Sequence, residues 1–210
     1  MTCLLRSVLP TAPLHDFDAP TPGTGKTLAG EQVSAIATGS APATIGYAEE
    51  VEFEKRVGAA LFAAAPVVLI DNVSWPLGGD ALNMALTSAE MAPRVLGKSE
   101  VKQVAVTSAF LATGNNLTLR GDMVRRALVC RFDSGEERPE TRKIKTDIRA
   151  EVARRRWELV RAALTILRAY HLAGRPQPAR TSPPLGGFEE WSRQVRDPLL
   201  WAFPDGDPLA

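Results

Sequence analysis

The stretch Ala19-Pro20-Thr21-Pro22-Gly23-Thr24-Gly25-Lys26-Thr27 holds the residues whose types and spacing could do chemistry. Gly-Lys-Thr is the ending of a phosphate-binding loop. Glycine lets consecutive backbone N–H groups turn inward around phosphate oxygens. A helix beginning directly behind the glycines would point its positive end at the same oxygens. The expected cradle is Pro22, Gly23, Thr24, Gly25, Lys26, Thr27 and Leu28. Lys26 would reach the β- and γ-phosphates of ATP, and the Thr27 hydroxyl would hold Mg²⁺. The usual pattern opens on glycine where this chain has Pro20. Proline locks φ and supplies no N–H, so one cradle position is altered.

A second acidic element follows at the distance such a site needs. Pro66-Val67-Val68-Leu69-Ile70-Asp71 is a continuous apolar run ending in a carboxylate. It reads as a buried parallel strand that delivers Asp71 to Mg²⁺. The same residues also describe a buried strand ending in a helix-capping Asp; Gly-Lys-Thr upstream decides for the metal site. Asn72 follows, where such strands usually carry a second acid. An amide can orient a water but cannot take its proton. Glu49 or Glu50, after the next strand, is then the candidate substitute base. Both also suit the first turn of a helix, where the macrodipole favours acids.

The elements that must position these groups are legible in order. Leu14–Ala19 predicts the strand entering the loop, and Leu28–Ile36 the helix leaving it. Ala43–Ala48 is a short strand. Glu49–Phe62 is helical, with Phe53, Val57, Ala60 and Leu61 at helical spacing. Ala81–Leu86 is a short helix after the turn Leu77-Gly78-Gly79-Asp80. Arg94–Val106 reads as a β-hairpin with Lys98 near its tip. Ala109–Thr113 is a strand ending in Gly114-Asn115-Asn116. Arg120–Arg126 leads into a last strand, Ala127–Asp133. Thr141–Ala173 is helical, and Phe188–Leu200 forms a final helix around Trp191, Val195 and Leu199. The expected divisions are a tail over 1–13, an ATPase core over 14–139, a helical segment over 140–173, a linker over 174–187, and a terminal helix and tail over 188–210.

Composition narrows the class. The chain has 210 residues and is 45% hydrophobic, enough for one sizeable α/β domain. Its net charge of +1 gives no global attraction to nucleic acid. Arg154-Arg155-Arg156 is a local cluster that reads first as a solvated helix face. Two cysteines and two histidines make no metal centre and point to a reducing, cytoplasmic compartment. Cys130 reads as a small core residue. No run approaches membrane-spanning length. The short approach to the loop fits a shortened gene or the C-terminal module of something longer.

This order of motifs resembles the AAA+ ATPases, and within them the superfamily 3-type ring helicases of phages and mobile elements, often fused to primases. Leu77-Gly78-Gly79-Asp80, Ala112-Thr113-Gly114-Asn115-Asn116-Leu117 and Phe188-Glu189-Glu190-Trp191-Ser192-Arg193 carry the likeness beyond the loop. The resemblance covers about residues 14–202. It implies a three-layer αβα fold with a central parallel sheet, an inserted β-hairpin and a C-terminal helical region. It also implies roles residue by residue. Asn115 or Asn116 would position the attacking water, and Arg125 or Arg126 would be the arginine finger reaching a neighbour's ATP. Lys98 would grip the nucleic-acid backbone, and Arg193 or Arg196 would close a lid on the nucleotide. The implied partners are single-stranded or forked DNA, further copies of the chain in a ring, and a primase domain or protein upstream. The alternatives are a nucleotide-dependent assembly or regulatory module with little hydrolysis, a degenerate helicase fragment, and a small-molecule kinase.

Overall fold

The protein is described here from a computed structural model, over residues 1–93, 102–136, 138–142, 144–178, 183–204 and 207. Five strands, β1 (Leu14–Ala19), β2 (Ala43–Gly46), β3 (Val67–Val73), β6 (Ala109–Asn115) and β7 (Ala127–Arg131), form one sheet. Its order is β2-β3-β6-β1-β7, and every pairing is parallel. The chain runs from β1 to one edge, returns through β3 and β6, then crosses β1 to the other edge. Such a reversal leaves a crevice at the carboxyl ends of the strands.

Alternation along the strands splits the core in two. Val67 and Leu69 of β3 and Leu111 of β6 face α2 (Lys26–Thr38), where Phe17 and Val33 join them. Val68, Ile70, Phe110 and Ala112 face α3 (Glu50–Phe62) and α4 (Asp80–Thr87), against Phe53, Val57, Leu82 and Leu86. The period of two along each strand makes this division. Gly30 lets α2 lie close to the sheet, because a Cβ there would meet Leu69 Cδ1 at 3.0 Å. Helix α5 (Ile148–Leu172) packs outside α2, giving a three-layer α/β fold of P-loop NTPase type with an added outer helix.

Several expectations shift in detail. The first residues, expected as a tail, form α1 (Thr2–Leu5) and a 3₁₀ turn (Arg6–Val8). Arg6 is buried, and its guanidinium donates to the carbonyls of Ser108 and Leu9. Strand β3 runs two residues past Asp71. The expected helix from Thr141 begins at Ile148, capped by Asp147, whose carboxylate accepts from the Ala150 N–H at 3.1 Å. Cys130, expected in the core, is exposed, since Val129, Cys130 and Arg131 at the end of β7 are uncovered on both faces of the sheet. Within the expected hairpin only β5 (Val104–Ala105) is described as a strand, and it pairs antiparallel with β4 (Glu90–Met91), which lies ahead of Arg94. Lys98 lies outside the described residues. The final helix is α6 (Glu189–Trp191), continued by a π-helical turn (Ser192–Arg196) into α7 (Asp197–Ala202).

Candidate functional site

Strand β1 ends at Ala19, and the chain then winds through the loop into α2. Gly23 and Gly25 adopt φ of +77° and +92°, the left-handed region that glycine enters without steric penalty. The register places Asn115 of β6 opposite Ala19. On β3 and β6 the face turned to α2 continues from Leu69 to Asp71 and from Leu111 to Thr113 and Asn115. Three elements therefore converge where α2 begins. They line a cleft of about 250 Å³, with Pro22, Gly23, Gly25, Lys26 and Thr27 on one side and Asn72, Thr113, Gly114 and Asn115 on the other.

The polar contacts inside this cleft are short and directional. Thr27 Oγ1 donates to Asp71 Oδ1 at 2.8 Å, joining the loop to β3. Lys26 Nζ donates to Asn115 Oδ1 at 2.7 Å, to Thr24 Oγ1 at 3.1 Å and to the Thr21 carbonyl at 3.3 Å. Burial lowers the Lys26 pKa, while the nearby Asp18 carboxylate opposes that shift. Leu28 sits in the first turn of α2, half-buried and away from the cleft lining.

Thr113, missed in reading the sequence, connects this site. Its hydroxyl donates to Asp71 Oδ1 at 2.7 Å and accepts from the Asn72 N–H at 3.0 Å. Asn72 itself has φ of +55°, where the β3–β6 register shifts between Ile70 and Val73. The signal for Thr113 was a lone hydroxyl within an apolar strand. Asp18 is likewise buried, accepting from the Leu117 N–H and from Arg131. Glu140 also meets the loop, because a Cβ on Gly23 would stand 2.8 Å from its Cβ.

The structure separates the paired candidates. Asn115 faces the cleft, whereas Asn116 turns away and donates through Nδ2 to the Pro20 carbonyl. Arg125 is exposed and 2.9 Å from Asp122. Arg126 is largely buried, pairing with Asp122 at 2.8 Å and donating to the Asn83 carbonyl.

Other candidates are not brought to the cleft. The Glu50 carboxylate accepts from the Ala81 N–H and from Arg120, so it caps α4. Glu49 is exposed and lines a separate hollow with Tyr47, Trp75 and Arg120. Neither glutamate lines the phosphate-loop cleft in this arrangement. Arg193 pairs with Glu190 at 2.5 Å. Arg196 is buried against Asp207 at 2.7 Å and donates to the Pro183 carbonyl. Their helix packs at the opposite end of β1, where Trp191 Nε1 donates to Thr2 Oγ1, which also bonds His15. His15 is four residues before Ala19, about 13 Å along a strand. Neither arginine lines the cleft in this arrangement.

The residues present fit a triphosphate and its metal. The helix start, the glycine-rich turn and Lys26 supply N–H groups and positive charge, and Thr27 with Asp71 supplies hard oxygens suited to Mg²⁺. Among the described residues there is no cluster of three or more His, Cys, Asp or Glu that could hold a metal by itself. No described helix is long and apolar enough to cross a membrane.

The fold is shared with a solved structure. The apo A form of the NrS-1 C-terminal region aligns with a TM-score of 0.50 at 16% identity, over 73% of this chain and 38% of that one. JCV helicase aligns with a TM-score of 0.45 at 12% identity, over 83% of this chain and 59% of that one. At 16% identity the likeness to the NrS-1 region is one of fold. The chain spans less than two fifths of the NrS-1 region it matches. No protein-family model matches the chain, and no curated protein does.

Proposed function

We propose that this chain is a nucleotide-binding motor module of helicase type, which binds ATP with Mg²⁺ and couples turnover to movement along DNA. The hydrogen bond from Thr27 to Asp71 carries the reading. It joins a glycine-turned loop to the carboxylate at the end of β3, the pairing that a metal-bridged triphosphate requires. Lys26 and the Thr27 hydroxyl would hold the β- and γ-phosphates and the metal, with Asp71 on the far side. Bound Mg²⁺ would neutralise charge on the phosphates. Asn115, already in contact with Lys26, would orient water at the γ-phosphate. Arg125, exposed at the surface beside Asp122, would leave that pair to supply positive charge to the site of a neighbouring copy. The remaining finer elements of the reading are a ring, a single or forked DNA strand as track, and a mobile-element replication context with a primase upstream.

Thermal-shift titration with ATP and magnesium tests the reading. The parent should rise in Tm with ligand, by mass action on the folded state, and Lys26→Ala should not. Equal indifference in both proteins would overturn it. Turnover measured with and without single-stranded DNA then decides whether the module is a motor.

A second reading has its own observation. Asn72 stands where an acid would activate water, and Glu50 is already engaged with Ala81 and Arg120. These favour a module that binds ATP to assemble, with slow hydrolysis. Binding without DNA-stimulated turnover would support it.

A further inference from the structure

Helix α5 concentrates the positive charge of the molecule. It holds Arg149, Arg154, Arg155, Arg156, Arg161 and Arg168 against Glu151 and Glu158, in a chain whose overall charge is only +1. Its inner face is committed. Arg156 donates to the Ala35 and Ala37 carbonyls of α2, Arg149 pairs with Glu31, and Tyr170 packs on Trp201.

The outer face is a strip of different character. Arg154, Trp157, Arg161, Leu164, Arg168 and Leu172 recur at three- and four-residue steps, so they lie along one side of the helix. All are exposed, Trp157 to 71%. Glu151 and Glu158 fall beside this strip and are held by Arg154 and Arg155. Arg161 and Arg168 have no ion pair among the described residues. At 1.5 Å per residue, Arg154, Arg161 and Arg168 are spaced about 10 Å apart over about 21 Å.

A large aromatic left in water among unpaired arginines is costly unless something covers it. A nucleobase stacks on an indole whatever its identity, and guanidinium groups hold the phosphates on either side. Three arginines against the flanking Glu151 and Glu158, the latter shared between Arg155 and Arg161, leave the strip net positive, which favours a polyanion. We propose that the outer face of α5 binds single-stranded nucleic acid without regard to sequence, Trp157 stacking a base and Arg161 and Arg168 gripping the backbone. The proposal rests on the motor reading for its biological setting, but uses no residue of the nucleotide site.

The experiment is fluorescence anisotropy with a fluorescein-labelled oligothymidine of about 20 nucleotides, repeated with oligouridine, in the absence of ATP. Binding of either probe through the strip supports the proposal, and the tighter one names the nucleic acid. Trp157→Ala should weaken binding about tenfold, and Trp157→Phe should restore most of it. The double change Arg161→Glu and Arg168→Glu should abolish binding at moderate salt. Neutralising the pair with glutamine should flatten the slope of log affinity against log salt by about 1.4. Lys55→Glu on α3, which changes the charge as much as the glutamine pair does, should bind as the parent does. Circular dichroism confirms that each variant is folded. Parent-like binding by both strip variants overturns the proposal. So does a parent that ignores both probes; loss of self-association by the double variant in sedimentation would then show that the strip faces protein. Lys26→Ala should bind the probes normally. A parent that binds the probes but shows no ATP-dependent Tm shift would remove the nucleotide reading alone, and a parent with the shift whose probe binding ignores the strip variants would remove this one alone.

Discussion

Replacing Asp16 by Asn should stabilise the protein above neutral pH and change how its stability depends on pH. Asp16 lies in the middle of β1, between Ala112 of β6 and Val129 of β7. It is 1% exposed, and neither carboxyl oxygen has a hydrogen-bond partner among the described residues. Burial, with a smaller push from the Asp18 charge, raises its pKa from 3.8 to about 7. The folded state therefore keeps a proton that the unfolded chain releases near 3.8. Stability from this group is present at low pH and is lost as pH rises toward 7. A shift of about three units corresponds to roughly 4 kcal/mol at most.

His15, next along β1, works in the opposite sense. Burial lowers its pKa from 6.5 to about 4, so the unfolded chain takes up the proton first and stability rises with pH across that window. In the parent the two slopes offset between about pH 4 and pH 6.5. In Asp16→Asn only the rising slope remains, and the curve should flatten above it. A buried amide left unpaired costs about 1–3 kcal/mol, so the net gain at pH 8 should be about 1–3 kcal/mol. Urea unfolding followed by tryptophan fluorescence, from about pH 4.5 to 8, measures both curves. Parallel curves for parent and variant, with the variant weaker at pH 8, would refute the reasoning.

Three further outcomes are expected at the sites described. Thr113→Val removes the donor to Asp71 and the acceptor for the Asn72 N–H, and should cost about 1–3 kcal/mol in chemical unfolding with a smaller Tm shift on ATP and magnesium. Asn115→Ala should lower ATP turnover by at least tenfold while Asn116→Ala changes it little, a one-sided result read from steady-state rates. Arg196→Met breaks a buried ion pair and should cost about 3–5 kcal/mol in urea unfolding, with the size of the ATP-dependent Tm shift unaltered.

Local pattern was enough for much of this molecule. An apolar run ending in Asp71 can be satisfied only by a buried strand, and the glycines before Lys26 permit a backbone that other residues resist. Those properties belong to short segments, so β1, the loop, α2 and β3 were legible from Leu14 to Asp71 without any contact across the fold. What the pattern left open were choices between adjacent residues of equal type. Asn115 and Asn116 are indistinguishable along the chain; the pairing of β6 with β1 turns one toward Lys26 and the other toward Pro20. Arg125 and Arg126 are divided in the same way, by the packing of their turn on α4.

Some assignments needed the third dimension because they depend on where a helix is docked. Glu50 and Arg196 have the right chemistry for a nucleotide site. Glu50 is drawn to the start of α4, and Arg196 to Asp207 on a helix seated at the far end of β1. Residue type and spacing thus determined that a phosphate loop and an acidic strand exist, since each is a property of a few consecutive dihedrals and side chains. Tertiary structure alone decided which polar groups reach them, because strand register and helix placement set those distances between residues far apart in the chain.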